Sequence, residues 1–229
     1  MNTKISKYLL DIFYPNRCPC CGDFIKWDKL TCGKCHRELE PVYDKICRKC
    51  GKEICICSEE LFYDRAVSLF RYENHAKEGI LAMKRSENKN FGEYSGKMIA
   101  EILKRDFQDE AFDFIVPVPM SGKSLIKRGF NQAEVIAEEI SDVFSLPLRN
   151  DILYKEKMNS SQHFLGRAGR FRSISAIKAY DTDISGKRVI LCDDIITTGS
   201  TVNRCAKLLK ENGASDILLV CAAESRMKY

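Results

Sequence analysis

Apolar spacing changes twice along the chain, and the changes divide it. Near the start, Ile5, Tyr8, Leu9, Ile12 and Phe13 share one helical face and Pro15 closes the run, which predicts a short amphipathic helix within 1–16. Over 17–60 large apolar residues are few. From Arg65 to Tyr72 apolar and polar residues alternate, the period of a half-buried strand. Helices are expected at 76–85 and 91–104. A strand is expected at 112–118, with Pro117 and Pro119 at its end, then a helix capped by Asn131 and running to Val143. A short strand at 152–155 precedes a polar, poorly periodic loop over 159–177. The last third reads strand 188–192, helix 201–211, a turn at Asn212-Gly213 and strand 216–223. Strands alternating with helices predict an α/β domain with a parallel, doubly wound sheet over 61–229.

Cysteine usage explains the sparse stretch. Nine of the twelve cysteines lie between Cys18 and Cys57, so they cannot all be ordinary core residues. A Cys-x-x-Cys turn presents two thiolates to one metal, and two such turns make a four-sulfur zinc site. Cys18, Cys21, Cys32 and Cys35 form the first expected set. Cys47, Cys50, Cys55 and Cys57 form the second, closed by the tighter Cys55-Ile-Cys57. Cys20 is left over, His36 is an alternative ligand, and an iron–sulfur cluster is the alternative cofactor. No ligand position is left open, so the metal is expected to be structural, stapling a cysteine-rich zinc-ribbon module at 17–60 that lacks core of its own. Cys192, Cys205 and Cys221 read as small apolar core residues.

Length and charge add little. The 229 residues, 45% apolar, suffice for one α/β domain plus a small module. The net charge of +5 suits anionic ligands or nucleic acid without demanding them. No apolar run approaches a membrane span, and Asp11 interrupts the only N-terminal run, so neither a signal peptide nor a secreted disulfide framework is expected.

The strongest chemical signal lies at 188–201. An apolar strand ends in Asp193 and Asp194, and Thr197, Thr198, Gly199, Ser200 and Thr201 lead into a helix. Such a loop aims backbone N–H groups and hydroxyls at a phosphate, aided by the helix dipole. Paired carboxylates accept hydrogen bonds from vicinal hydroxyls. A phosphate beside a diol is a sugar phosphate. The segment resembles the 5-phosphoribosyl 1-diphosphate (PRPP) motif of type I phosphoribosyltransferases. That resemblance implies the type I fold, Asp193 and Asp194 on the ribose hydroxyls, Thr197 to Thr201 around the 5-phosphate, and Mg2+ bound with PRPP. It also implies a diphosphate loop after the 112–118 strand, carried here by Met120, Ser121, Gly122, Lys123 and Arg128, with Lys127 as further charge.

The stretch VPVPMSGKSLIKRGFNQAE narrows the resemblance. Together with the knuckles and the acidic corner, in that order, it resembles the ComF family, and Lys84 stands where that family has a lysine after the first helix. The family's mobile loop falls on Gln162, Arg167 and Arg170. Here Asn159-Ser-Ser-Gln162 keeps the glutamine without the usual threonine, and Gly169-Arg170 replaces Glu-Arg. Six basic residues and one acid lie between Lys155 and Lys178, a composition suited to diphosphate or a nucleic-acid backbone. The ComF resemblance implies a cytoplasmic protein that assists natural transformation by handling imported single-stranded DNA, with DNA-uptake proteins as partners. Phe62, Tyr63, Trp27 and His36 are candidate stacking residues. Two alternatives stand beside this. One is an active Mg2+-dependent phosphoribosyltransferase with an unidentified acceptor, not glutamine-dependent. The other is a PRPP-responsive regulator without catalysis.

Overall fold

The computed structural model describes residues 13–156, 174 and 176–226. Most of the expected N-terminal helix, and the stretch holding Gln162, Arg167, Arg170 and Arg172, lie outside them.

Four strands form one sheet: β1 (Arg65–Arg71), β2 (Phe114–Pro117), β5 (Arg188–Ile196) and β6 (Asp216–Glu224), in the order β1-β6-β5-β2. Every pairing is parallel. Parallel strands buried on both faces need apolar residues at every position, and β5 and β6 supply them. Ile190, Cys192, Leu218, Val220 and Ala222 feed one hydrophobic cluster. Val189, Leu191, Ile217, Leu219 and Cys221 feed the other. The alternation is the two-residue period of a strand. Helices α2 (Asn74–Lys84), α3 (Asn90–Asp106) and α5 (Gln132–Phe144) cover the first face, and α6 (Ser200–Glu211) covers the second. Cys192, Cys205 and Cys221 are fully buried, as expected of core residues.

The structure departs from the sequence reading in three places. The 152–155 strand does not join the main sheet. It is β3 (Leu153–Lys155), paired antiparallel with β4 (Ile177–Ala179), and this ribbon packs on the second cluster. Strand β5 runs past the acids to Ile196, because Asp193 pairs with Cys221 and Ile195 with Ala223. Residues 122–128, read as loop, form the short helix α4 (Gly122–Arg128), capped by Ser121, whose Oγ accepts from Ser124 N at 3.3 Å.

The cysteine-rich segment, which carries the α-helix α1 (Gly33–Glu38) and a 3-10 turn at Tyr43–Lys45, lies along the sheet edge. Val42 N donates to Leu69 O at 2.8 Å, and Ala66 N donates to Arg48 O at 2.7 Å. These bonds occupy the outer backbone of edge strand β1, which otherwise invites intermolecular pairing. Leu39, Val42, Tyr43 and Ile46 join the first cluster with Val67, Leu69 and Phe70. Apolar core therefore continues from the cysteine-rich segment into the α/β part.

Candidate functional site

In an open α/β sheet, ligands sit outside the carboxyl ends of the strands. Three segments converge there: the end of β5, the loop into α6, and the turn after β2, whose Val118 N donates to Cys192 O at 2.8 Å.

Asp193 and Asp194 are consecutive residues near the end of β5, and their carboxyls lie close enough to interact. Asp194 Oδ2 lies 2.9 Å from Lys84 Nζ at the end of α2. Asp193 Oδ1 accepts the N–H of Asp194 at 2.9 Å. Burial, and then the charge of Asp194, push the Asp193 carboxyl well above the ordinary carboxylate range. Lys155 of β3 stands near it. Burial lowers the Lys155 pKa, and the charges of Cys205 and Asp193 act against that.

After Ile196 the chain turns at Gly199, which has φ +79° and a buried position, a left-handed conformation that glycine adopts without strain. Thr197, Thr198 and Ser200 remain exposed around it, and Thr201 is half-buried at the first turn of α6. Thr198 Oγ1 and Ser200 Oγ are 2.9 Å apart. The first turn of α6 leaves N–H groups without intrahelical acceptors, and the exposed hydroxyls add further donors. A cleft of about 250 Å³ adjoins the loop, lined by Phe62, Thr198, Ser200, Asn203, Arg204 and Lys207 among others.

The residues expected at the diphosphate divide in two. Met120 and Ser121 are half-buried at the end of β2, and Gly122 and Lys123 are exposed at the start of α4. Arg128 is already engaged: its Nη1 donates to Gln132 Oε1 at 3.0 Å. Buried Gln132 donates onward to Met83 O at 3.3 Å, and Asn131 both caps α5 and donates to Val118 O at 3.0 Å. The Arg128–Gln132 run is thus a clasp joining β2, α2 and α5. A donor anchored in this way supplies charge from a fixed position.

The two cysteine sets are assembled as the spacing predicts. In each of Cys18/Cys21/Cys32/Cys35 and Cys47/Cys50/Cys55/Cys57, all four sulfurs lie within 4.8 Å of one another. Measured edges are 3.8 Å for Cys21–Cys32, 3.6 Å for Cys47–Cys57 and 3.8 Å for Cys50–Cys55. A tetrahedral four-sulfur zinc site with bonds of about 2.3 Å has edges of about 3.8 Å, so the sulfurs fit zinc. His36 belongs to neither set; its Nδ1 lies 2.9 Å from Tyr94 Oη. Cys20 is buried outside the first set, and desolvation raises its thiol pKa.

Sequence reasoning missed Lys52, buried beside the Thr197–Thr201 loop, and the Lys84–Asp194 pair. Of its stacking candidates, His36 is exposed and Trp27 and Phe62 are half-buried. Tyr63 is buried, with Oη donating to Cys50 O at 3.2 Å. Among the described residues Phe13, Tyr14, Phe24 and Tyr180 are exposed, with the Arg17 guanidinium 3.9 Å from the Phe24 ring centre.

Fold and cysteine geometry together define a phosphoribosyltransferase-type domain preceded by a double zinc ribbon. Family comparison matches the double zinc ribbon domain at residues 9–66 and the phosphoribosyl transferase domain at 87–229. The chain belongs to the phosphoribosyl transferase domain family, in the ComF group that carries the zinc ribbon. It is similar to DNA utilization protein YhgH of Escherichia coli strain K12, 25% identical over 89% of this chain and 82% of that one. Competence protein F of Haemophilus influenzae is 28% identical over 81% of each chain. Competence protein ComFC of Bacillus subtilis strain 168 is 25% identical over 82% of this chain and 81% of its own. Among the described residues no helix is long and apolar enough to cross a membrane.

Proposed function

We infer that the chain binds PRPP, or a related sugar phosphate, at the carboxyl ends of β5 and β2, and that it serves competence by handling imported single-stranded DNA. The observation that carries the first half is the corner itself: two carboxylates beside an exposed ring of hydroxyls at the start of α6. Asp193 and Asp194 take the ribose hydroxyls, Thr197 to Thr201 take the 5-phosphate, and Met120 to Lys123 face the diphosphate. Mg2+, when bound with PRPP, neutralises diphosphate charge. Arg128 holds the turn in which these groups sit.

The second half draws on the relatives, which are named for competence and DNA utilization, and on the basic, aromatic surface by the first zinc site. Phe13, Tyr14 and Phe24 offer faces on which bases stack, and Arg17 contributes a cation at the same place. Two four-thiolate sites need reduced cysteines, which suits the cytoplasm.

Pentosyl transfer is the second reading, favoured by the raised Asp193 carboxyl, a group poised to hold a proton beside the ribose. Equilibrium dialysis with PRPP and Mg2+ tests the pocket. A salt titration of single-stranded DNA binding tests the surface, where Arg17→Ala combined with Phe24→Ala should weaken binding about tenfold or more, as expected for loss of one stacked base and one phosphate contact. DNA binding unchanged in that variant sinks this surface. Release of diphosphate dependent on one added nucleobase would favour transfer.

A further inference from the structure

The second cysteine site touches the phosphate loop, and a single buried lysine makes the connection. Lys52 follows Cys50-Gly51 directly, and its side chain is 0% exposed. Its Nζ donates to Thr197 O at 2.9 Å and to Ser225 O, and lies 3.2 Å from Glu224 Oε2, also 0% exposed. An ammonium has three N–H groups; here two carbonyls accept from it and the Glu224 carboxylate pairs with it by charge. One carbonyl is the first of the Thr197–Thr201 loop; the other, Ser225 O, directly follows β6, which ends at Glu224.

Knuckle geometry fixes where that lysine sits. Cys47 N donates to Lys52 O at 3.0 Å and Gly51 N to Cys47 O at 2.8 Å, so the turn that gathers the thiolates also sets the lysine backbone. Gly51, at φ +71°, packs so closely that an added Cβ would lie 2.8 Å from Ala66 Cβ on β1. Ile56, between Cys55 and Cys57, is buried, and its Cδ1 would lie 3.4 Å from a Cβ at Gly199. The linker adds a third tie: Asn203 of α6 accepts from Phe62 N and donates to Glu60 O, each at 2.7 Å.

We propose that Lys52 is a positioning residue that transmits metal occupancy of the Cys47/Cys50/Cys55/Cys57 site to the phosphate loop. A trans peptide is planar, with its C=O and N–H on opposite sides. Holding Thr197 O toward Lys52 therefore turns the Thr198 N–H away from the zinc ribbon, to the open side of the loop. With the metal bound, the knuckle holds Lys52 in place and the loop keeps its donors aligned. When the site loses its metal the knuckle loosens, Thr197 O loses its partner, and the loop amides become mobile. Linkage makes the effect reciprocal: a phosphate ester bound in the loop slows metal loss from this site. The phosphate half of this inference rests on the reading given under Proposed function; the anchoring half does not.

The experiment is hydrogen–deuterium exchange at residues 198–201 of the full, zinc-replete chain without ligand, followed by calorimetry with ribose 5-phosphate. Lys52→Met alone leaves Glu224 buried without its partner, so Lys52→Met/Glu224→Leu, which removes both charges, is the informative variant. Lys49→Met, an exposed lysine in the same knuckle, is the control. The double variant, retaining its metal by elemental analysis, should exchange the loop amides at least tenfold faster and bind ribose 5-phosphate at least tenfold more weakly, while Lys49→Met matches the wild type. In the wild type, ribose 5-phosphate should slow zinc release to a chelator. Unchanged loop exchange in the double variant overturns the proposal, as does a double variant too unstable to purify while Lys52→Met alone leaves exchange unchanged. Faster exchange with no ribose 5-phosphate bound even by the wild type supports the anchor and overturns the phosphate reading instead.

Discussion

The two ends of the parallel sheet carry similar charges and use them differently. At the amino end, where β1, β5 and β6 begin, Arg65 and Arg188 face Glu110 and Asp216. Arg65 forks onto Glu110 at 2.5 and 2.8 Å and reaches Asp216 at 2.7 Å. Arg188 reaches Asp216 at 3.1 Å and also bonds Glu110. Two cations meet two anions, and the network closes. At the carboxyl end Asp193 and Asp194 lie side by side with Lys84 on one of them. Burial and mutual repulsion raise Asp193, whereas the hydrogen bond from Arg65 lowers Glu110. A fold minimising its own energy pairs its acids as the amino end does. Acids kept close together at a strand end, at a cost, are the pattern on which the proposed sugar-phosphate site rests.

Substitutions can break this contrast. The largest effect should come from Lys52→Met. It strands Glu224 in the core and should cost about 3–5 kcal/mol, a fall of roughly 10 °C in thermal midpoint. Adding Glu224→Leu should restore most of that. Asp194→Asn should weaken PRPP binding about a hundredfold, equivalent to about 2.7 kcal/mol, with no loss of thermal midpoint. Arg188→Met at the amino end should do the reverse, costing about 1.5–3 kcal/mol for its charged hydrogen bonds and leaving PRPP affinity unchanged.

The finest test is pH. Glu110 has a lowered folded pKa, so its stabilisation is complete above its unfolded value, about 4.3, and is lost as pH falls through the folded value. The thermal-midpoint gap between wild type and Glu110→Gln should narrow below about pH 4. Asp193 has a raised folded pKa, so ionising it at neutral pH costs stability, and Asp193→Asn should raise the midpoint at pH 7 and lose that advantage in acid. The two ends therefore titrate with opposite sign. Equal signs in differential scanning calorimetry would erase the distinction.

Much of this was legible in the chain. The apolar runs of β5 and β6 and the i, i+3, i+4 spacing of Val202, Cys205, Ala206 and Leu209 foretold strand, helix and strand, because local pattern and burial agree there. Cysteine spacing foretold both metal sets, because knuckle geometry is local. Helix α4 was not legible. It spans seven residues, and Leu125 and Ile126 are exposed, so it has no buried face to leave a period. Strand β4 has three residues, and only its pairing with β3 defines it. The extension of β5 through the acids is imposed by β6 against the residues' own preference. Lys52 was invisible for a different reason: its partners lie 145 and 173 residues away, and no spacing rule reaches that far.

The most direct test is isothermal calorimetry of the zinc-replete chain with PRPP and Mg2+, wild type against Asp194→Asn. Saturable binding at one PRPP per chain, weakened about a hundredfold in the variant, is the predicted result. No heat from a folded wild type carrying both metals, or equal binding by the two proteins, would contradict it.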